Sequence, residues 1–577
     1  MLPVLRFPVL LGVCLCGGLV AADAQSSLVW QHDSFVSQTD EPMRAVRFGL
    51  GDEIVIAGEY RASNAPDTSA ALYIRPADGS ALTQTNWPGT PVGTYRWNAL
   101  AIDAAGDIAL AGSAPGGALV GLASPSGAFL WTPQVLPAPF QYASAVAFDP
   151  NGELLVAGIA GADVFVARLS PQGGLLDSVV WAHPANGDDR ASRVAVSAQG
   201  DVFVLGLADT SNNPRVFVLK LDSALDVQWE SERFSLQSSD PGPALALDAQ
   251  GDAYVACSSK TNGNPQSLFT LWKLDPNGAT AWAATPTDAQ HTSGRATEVG
   301  IDALGHLVVA GSWSGFDSEG LVQSYDRFGN LLWSHPAGLA TSLYFSLALD
   351  EAGDALVAGS NGGGQLGFAR RYDRDGNERW TWQDTNKTVR GAIGVAPQGD
   401  ALLAGSCRST FSPTYLHEFR LGCAVFPVCA GDGSIGSCPC ANDSATRDRA
   451  GCVDSIGTGG HLEGVGYASL GSDTLILVAS SMPNTTSVYF QGTAQIAPVF
   501  FGDGLRCTGG TLVRLAVRAG GGGSSQFPGP GDPLLSVAGG VGAAGLRMYQ
   551  AYFRDHSSFC TAATFNATNA VRVNWIP

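Results

Sequence analysis

The sequence predicts an all-β protein: an eight-bladed β-propeller closed by its own N-terminal strand, followed by a smaller disulfide-rich β domain. Three observations predict it. A hairpin phrase recurs eight times at blade-sized spacing, a tryptophan recurs in register with that phrase, and the cysteines crowd toward the C-terminus.

Residues 1–24 have the pattern of a secretory signal peptide. Arg6 supplies the positive start, Val9 to Val20 the apolar stretch, and Ala22-Asp23-Ala24 a small-x-small cleavage pattern. The mature chain is therefore expected to begin at Gln25, and Cys14 and Cys16 leave with the signal. No later apolar run is long enough to span a bilayer. The expected location is outside the cell, at its surface or in the periplasm.

Residues 25–423 form the predicted propeller. The recurring phrase is apolar-x-apolar-Asp-x-x-Gly-Asp followed by an apolar run and a small residue. Leu100-Ala-Ile-Asp-Ala-Ala-Gly106-Asp is one copy and Leu245-Ala-Leu-Asp-Ala-Gln-Gly251-Asp another. The marker glycines are Gly51, Gly106, Gly152, Gly200, Gly251, Gly305, Gly353 and Gly399, with steps of 46 to 55 residues. Each copy encodes a hairpin. Alternating apolar residues form one strand, the Asp carboxylate bonds backbone amides across the turn, and Gly supplies the positive φ. The small residues after the next strand, such as Ala111-Gly112-Ser113, suit close packing between neighbouring sheets.

A second phrase supplies strands three and four: an alternating strand, a Gly turn, then Trp. Asp275-Pro-Asn-Gly278 leads to Trp282, and Tyr325-Asp-Arg-Phe-Gly329 leads to Trp333. Trp30, Trp87, Trp131, Trp181, Trp229, Trp282, Trp333 and Trp380 each precede a marker Gly by 19 to 23 residues. Such periodicity marks core docking between blades. The last unit has a third strand, Leu416–Leu421, but no fourth, while Ser27–Trp30 has no blade before it. The N-terminal strand is therefore expected to complete the last blade and remove two sheet edges. An open solenoid is the alternative topology. Seven blades would follow if the irregular first copy sat elsewhere.

Net charge is −19, and only −1 of it falls after residue 423. So acidic a propeller repels phosphate backbones, which argues against nucleic-acid binding.

The Gly-x-x-x-Trp phrase resembles the tryptophan-docking repeat of quinoprotein dehydrogenases and their non-catalytic eight-bladed relatives. The Asp-x-x-Gly-Asp hairpin resembles the SBBP-type propeller repeats of bacterial extracellular proteins. Both resemblances span roughly residues 27–423 and imply a fold. The quinoprotein likeness would also imply a bound quinone and calcium. The adjacent cysteine pair of those enzymes is missing here, so no catalytic residue is carried over.

Residues 424–577 are expected to form a cysteine-rich, β-sandwich-like module, with strands at Thr474–Val478, Ser487–Phe490, Thr511–Leu515 and Met548–Phe553. Its Cys438-Pro-Cys440, Phe501-Gly-Asp-Gly-Leu-Arg-Cys507 and Phe559-Cys560-Thr phrases resemble a C-terminal module of secreted bacterial proteins, notably of planctomycetes. A module shared by diverse proteins would serve attachment, sorting or glycan contact. Disulfide candidates are Cys407, Cys423, Cys429, Cys438, Cys440, Cys452, Cys507 and Cys560, with Cys407 and Cys423 placed to pair across the last hairpin. The six later cysteines allow 15 pairings. Cys257, standing where other copies have Gly, is expected to be a buried thiol.

Chemistry-bearing motifs are sparse. Cys429, Cys438, Cys440 and Cys452 could hold zinc, but their spacing lacks a Cys-x-x-Cys knuckle. Asp373-Arg-Asp375-Gly-Asn377-Glu378 resembles a calcium loop without its distal Glu, so turn chemistry comes first; calcium is the one cation such turns could take. Asp188-Asp189 is a carboxylate pair expected on a solvated loop. The eight histidines form no zincin motif, and no Gly-x-Ser-x-Gly elbow exists. Off-register aromatics Trp97, Trp313, Phe316 and Trp382 are candidates for surface binding.

The expected function is a monomeric, secreted or surface-bound, non-catalytic scaffold presenting its ring to a protein or glycan, with no catalytic residue and no cofactor. The alternatives are an enzyme using the central funnel, either a quinoprotein-like oxidoreductase or a polysaccharide-active hydrolase or lyase, and a purely structural surface protein. The residues lining the funnel separate these readings.

Overall fold

The computed structural model describes residues 27–575 except for short stretches, the longest being 38–42, 62–66, 88–92, 210–214, 235–242, 260–267, 286–292, 384–389, 396–400, 409–413 and 556–560. The signal segment and Phe316 lie outside the described residues, as do the side chains of Cys407 and Cys423. The chain divides into two compact units, residues 25–426 and 427–575.

In the first unit, eight four-stranded antiparallel sheets follow one another. Seven are built from consecutive strands. The eighth pairs Arg390–Val395, Ala401–Arg408 and Thr414–Gly422 with Ser27–Ser37 from the chain's beginning. The register there runs from Ser27↔Gly422 to Ser37↔Thr414. The closing strand is thus the one the repeat count demands, and the eighth blade gains a hydrogen-bonded fourth strand in place of an open edge.

Most hydrophobic clusters of the propeller straddle two neighbouring blades. Val55 and Leu72 of blade 1 pack with Leu100 and Leu110 of blade 2, and Leu155 and Val166 of blade 3 with Val204 and Leu219 of blade 4. The seam between blades 8 and 1 is equally tight. A Cβ on Gly394 would lie 1.8 Å from Phe48. Burying an apolar face between successive sheets is what a blade cannot do alone.

The marker turns have the expected chemistry. Asp302 Oδ1 accepts the N–H groups of Leu304 at 2.9 Å and His306 at 2.8 Å, and Gly305 has φ +81°. The turn between strands three and four repeats this, as at Asp326, which accepts from Phe328 and Asn330. Blade 4 departs from the pattern. Leu225 takes the positive φ (59°) where other turns have Gly, and its buried side chain joins Trp181 in the core.

The small-residue phrase meets a second constraint besides packing between sheets, as at Gly311, where a Cβ would lie 2.4 Å from Phe269 of blade 5. The first strand of most blades carries a β-bulge, seen as register shifts at Trp97/Ala99, Ala143/Ala145, Ala191/Arg193, Ala296/Glu298 and Tyr344/Ser346. Opposite each stands the Gly of the phrase. A Cβ on Gly112 would lie 1.9 Å from the Arg96 carbonyl oxygen, and one on Gly158 1.9 Å from that of Tyr142. Glycine is therefore required within the blade by the bulge. In blade 5 Cys257 replaces it; the described register there starts at Ala244↔Ala256, and the segment that would face Cys257 lies outside the described residues. Cys257 is buried and forms no disulfide.

The second unit holds a five-stranded sheet in the order Val425–Val428, Phe565–Trp575, Gly545–Arg554, Thr486–Gly492, Val513–Ala519. A three-stranded sheet (His461–Val465, Ile476–Ser480, Ser525–Phe527) and a hairpin (Ala494–Phe501 with Gly504–Gly509) accompany it. Disulfides join Cys429 to Cys507 and Cys438 to Cys452. Cys440 is also disulfide-bonded, and Cys560 lies outside the described residues. These bonds replace the zinc alternative, since a crosslinked sulfur is no thiolate ligand.

Candidate functional site: the axial channel

The bulged inner strands surround a cavity of about 720 Å³ on the propeller axis, with seven of the eight blades supplying its wall. The bulged residues clip neighbouring blades together. Asn98 Nδ2 donates to Ala143 O at 2.9 Å, Ser144 Oγ to Ala191 O at 2.6 Å, and Thr297 Oγ1 to Tyr344 O at 3.1 Å. Each of these acceptors lies on the next blade, so the ring round the channel is laced by side chain–backbone bonds.

Two positions per inner strand follow the bulge; the first lines the cavity, and at the second Arg47, Ala348 and Gly394 do. At the first stand Ala45, Ala99, Ala145 and Ser346, but also Arg193 and Glu298. At the second, opposite the middle of the next strand, stand Ala101, Ala147, Ala195, Gly300, Ala348 and Gly394, but also Arg47. Arg193 Nη2 lies 3.8 Å from Glu298 Oε2, an ion pair reaching from blade 4 to blade 6. Arg47 belongs to blade 1. Its side chain keeps solvent access, while desolvation by the surrounding channel walls pulls its pKa below the usual value; Glu298 opposes that shift and Arg193 adds to it. The guanidinium stays protonated at neutral pH. All three charges therefore share one chamber. At its edge, Arg44 pairs with Glu59 at 3.7 Å.

These charged residues are absent from the sequence expectations, although a signal existed. Aligned on the marker glycine, they interrupt columns otherwise filled by Ala, Gly or Ser. The shortened first copy hides the alignment of Arg47.

Two of the four aromatic candidates, Trp97 and Trp313, are corrected by the structure. Trp97 is fully buried and Trp313 is 6% exposed. Trp97 occupies the column of Ala143, Ala191, Ala296 and Tyr344, and Trp313 that of Ala160 and Ala208, all buried. Those columns point between blades, so both indoles are packing groups. Trp382 is half-buried against the cluster of Leu356 and Trp380.

Asp188 and Asp189 open the first strand of blade 4 rather than a loop. Asp189 is buried and accepts the His183 N–H at 2.7 Å, with its pKa raised by desolvation. The His183 ring meets Glu232 at 2.9 Å. In the calcium-like loop, the Asp373 carboxylate is taken up by Asn377 and by Arg379 at 3.0 Å. That is turn chemistry with a basic partner. Among the described residues no cluster of three His, Cys, Asp or Glu could hold a metal.

Fold and channel together define the class: an eight-bladed β-propeller protein with a disulfide-bridged β module. No protein-family profile matches the chain, and none of the curated proteins does. Similar solved structures include Sqt1 from Chaetomium thermophilum (12% identity, 68% of this chain and 99% of that one, TM-score 0.42). Others are the WD40 domain of Toxoplasma gondii coronin (10%, 69% and 88%, TM-score 0.38) and the β-propeller domain of the trilobed protease from Pyrococcus furiosus (8%, 59% and 97%, TM-score 0.36). The likeness is one of fold. Among the described residues no helix is long and apolar enough to cross a membrane.

Proposed function

We propose that the protein is a secreted or surface-held binding protein whose propeller captures a ligand at the mouth of, or within, its axial channel. One observation carries the reading: a water-accessible wall of small and larger apolar residues concentrates Arg47, Arg193 and Glu298, beside the Arg44–Glu59 pair, in one chamber. Polar groups that converge in a concave site are what fix ligand orientation. Among the described residues the wall supplies one carboxylate, Glu298, and Arg193 engages it. A hydrolase acting by acid–base carboxylates needs two across the scissile bond. Binding therefore ranks above catalysis, and the ligand is a glycan or protein segment reaching the axis. The disulfide-bridged module is read as a tether or sorting element, in keeping with an oxidising compartment.

The test uses chain purified from the culture fluid of a secreting host. Saturable binding on glycan and protein arrays without turnover, and an N-terminus at Gln25, are the expected results. Polymer cleavage at enzyme-like rates that disappears in Glu298→Gln would overturn the reading.

A further inference from the structure

The channel charges do not balance, and the imbalance describes a ligand. Glu298 neutralises one guanidinium through its contact with Arg193. Glu59 neutralises Arg44. Among the described residues Arg47 is left with one hydrogen bond, from Nη1 to the carbonyl oxygen of its neighbour Val46 at 2.8 Å, and with no ion pair. Its remaining N–H donors face a water-accessible chamber. Every other blade whose inner strand pairs at this position has Ala or Gly there, so the fold does not require a long cation. A surplus cation inside a propeller of strongly negative net charge is also no device for solubility.

We propose that the chamber binds a small hydroxylated molecule bearing one oxyanion charge, a sugar acid or a sugar sulfate, with Arg47 as its anchor. This rests on the binding function proposed above and names the ligand class for the same channel. A planar guanidinium receives a carboxylate or sulfate through two parallel N–H···O bonds. A single negative charge closes the local balance of two guanidiniums and one carboxylate. Glu298 then has two effects. It accepts hydrogen bonds from ligand hydroxyls, and it repels a second negative charge, so a phosphate monoester is disfavoured. The chamber volume, about 720 Å³, falls in the range of small-molecule sites. The Ala and Gly positions leave the room that a sugar ring occupies.

The test is calorimetric titration of the full mature chain with glucuronate and with glucose 6-sulfate, using glucose and glucose 6-phosphate as comparisons. One or both monoanions are expected to bind saturably and more weakly as salt rises. Glucose and glucose 6-phosphate should bind at least tenfold less well. Arg47→Ala should reduce monoanion affinity tenfold or more at unchanged melting temperature, since it restores the residue of the other blades. Glu298→Gln should narrow the gap between sulfate and phosphate. Monoanion binding that is absent, or equal in Arg47→Ala, overturns the inference. Glucose binding as tightly as glucuronate would overturn it too, yet leave the binding function standing; enzymatic turnover would remove that function instead.

Discussion

Trp282 of blade 5 covers Gly329 of blade 6, and its Nε1 donates to the carbonyl oxygen of Arg327 at 3.1 Å. The same arrangement joins Trp131 to Gly173 through Pro171 O, Trp229 to Gly278 through Pro276 O, and Trp333 to Gly376 through Arg374 O. Each indole thus bridges its own blade to the turn of the next. The glycine serves two ends: it turns the chain at positive φ, and it leaves its Cα bare for the ring.

Gly329→Ala is therefore expected to weaken the ring. Its φ is +87°, and a Cβ would lie 2.8 Å from Trp282 Cδ2. Left-handed strain costs about 1–2 kcal/mol, and displacement of the indole adds to it. Denaturant unfolding should show a loss of about 1–3 kcal/mol, with altered tryptophan fluorescence in the native baseline. Unchanged stability would mean that the indole is not docked.

Arg371 is buried in blade 7 against Asp350 and Asp354 at 2.5 and 3.1 Å. The same third-strand position carries Arg168, Lys220 and Lys273 in blades 3, 4 and 5, each paired with the acid after the marker glycine. Removing the cation from a buried pair leaves carboxylates without compensation, at a cost of roughly 3–5 kcal/mol. Arg371→Ala should fall in that range. Arg168→Ala, whose partner Glu153 is partly solvated, should cost well under half as much. Equal losses in the two variants would contradict the burial argument.

The disulfides crosslink residues 78 and 14 positions apart. On the chain-entropy account, closing such loops is worth about 4.5 and about 3 kcal/mol respectively. Cys429→Ser/Cys507→Ser should therefore lower the melting of the second unit more than Cys438→Ser/Cys452→Ser. Calorimetry should leave the propeller transition in place in both. A reversed order would show that loop length does not govern these bonds.

Asp454, buried in the second unit, has its pKa raised to about 6, chiefly by desolvation, with Asp555 contributing. Its native state holds a proton that the unfolded chain, with a carboxylate pKa near 3.8, releases. The stabilisation is complete below that unfolded value and is lost as pH rises toward 6. Asp454→Asn keeps an acceptor for the Ile456 N–H, which Oδ1 takes at 3.0 Å. The variant should gain roughly 1–2 kcal/mol at pH 7 relative to pH 4. Melting curves of variant and parent across this window supply the check, and parallel curves would refute the assignment.

Local chemistry was legible in the residues. The Asp-x-x-Gly-Asp turns, the alternating strands and the tryptophan period depend on neighbours within ten residues, and arithmetic on the repeats assigned Ser27 to the last blade. Sandwiched aromatics such as Trp97 and Trp313 misled because their exposure depends on the adjacent blade. The buried Asn566 shows the same limit of local reading. Asn566 Nδ2 donates to the carbonyl oxygens of Cys452 and Val453, contacts more than a hundred residues away along the chain.

By itself the sequence determined the repeating unit and pointed to eight copies closed by the N-terminal strand, since hairpin turns and binary patterns are short-range; closure and the count of eight were decided by the structure. Only the tertiary structure decided that Arg47, Arg193 and Glu298 share a chamber, and which cysteines pair. Ring closure carries residues from blades 1, 4 and 6 to one axis, and distances across that axis are set by the packing of every blade between them, which no local pattern records.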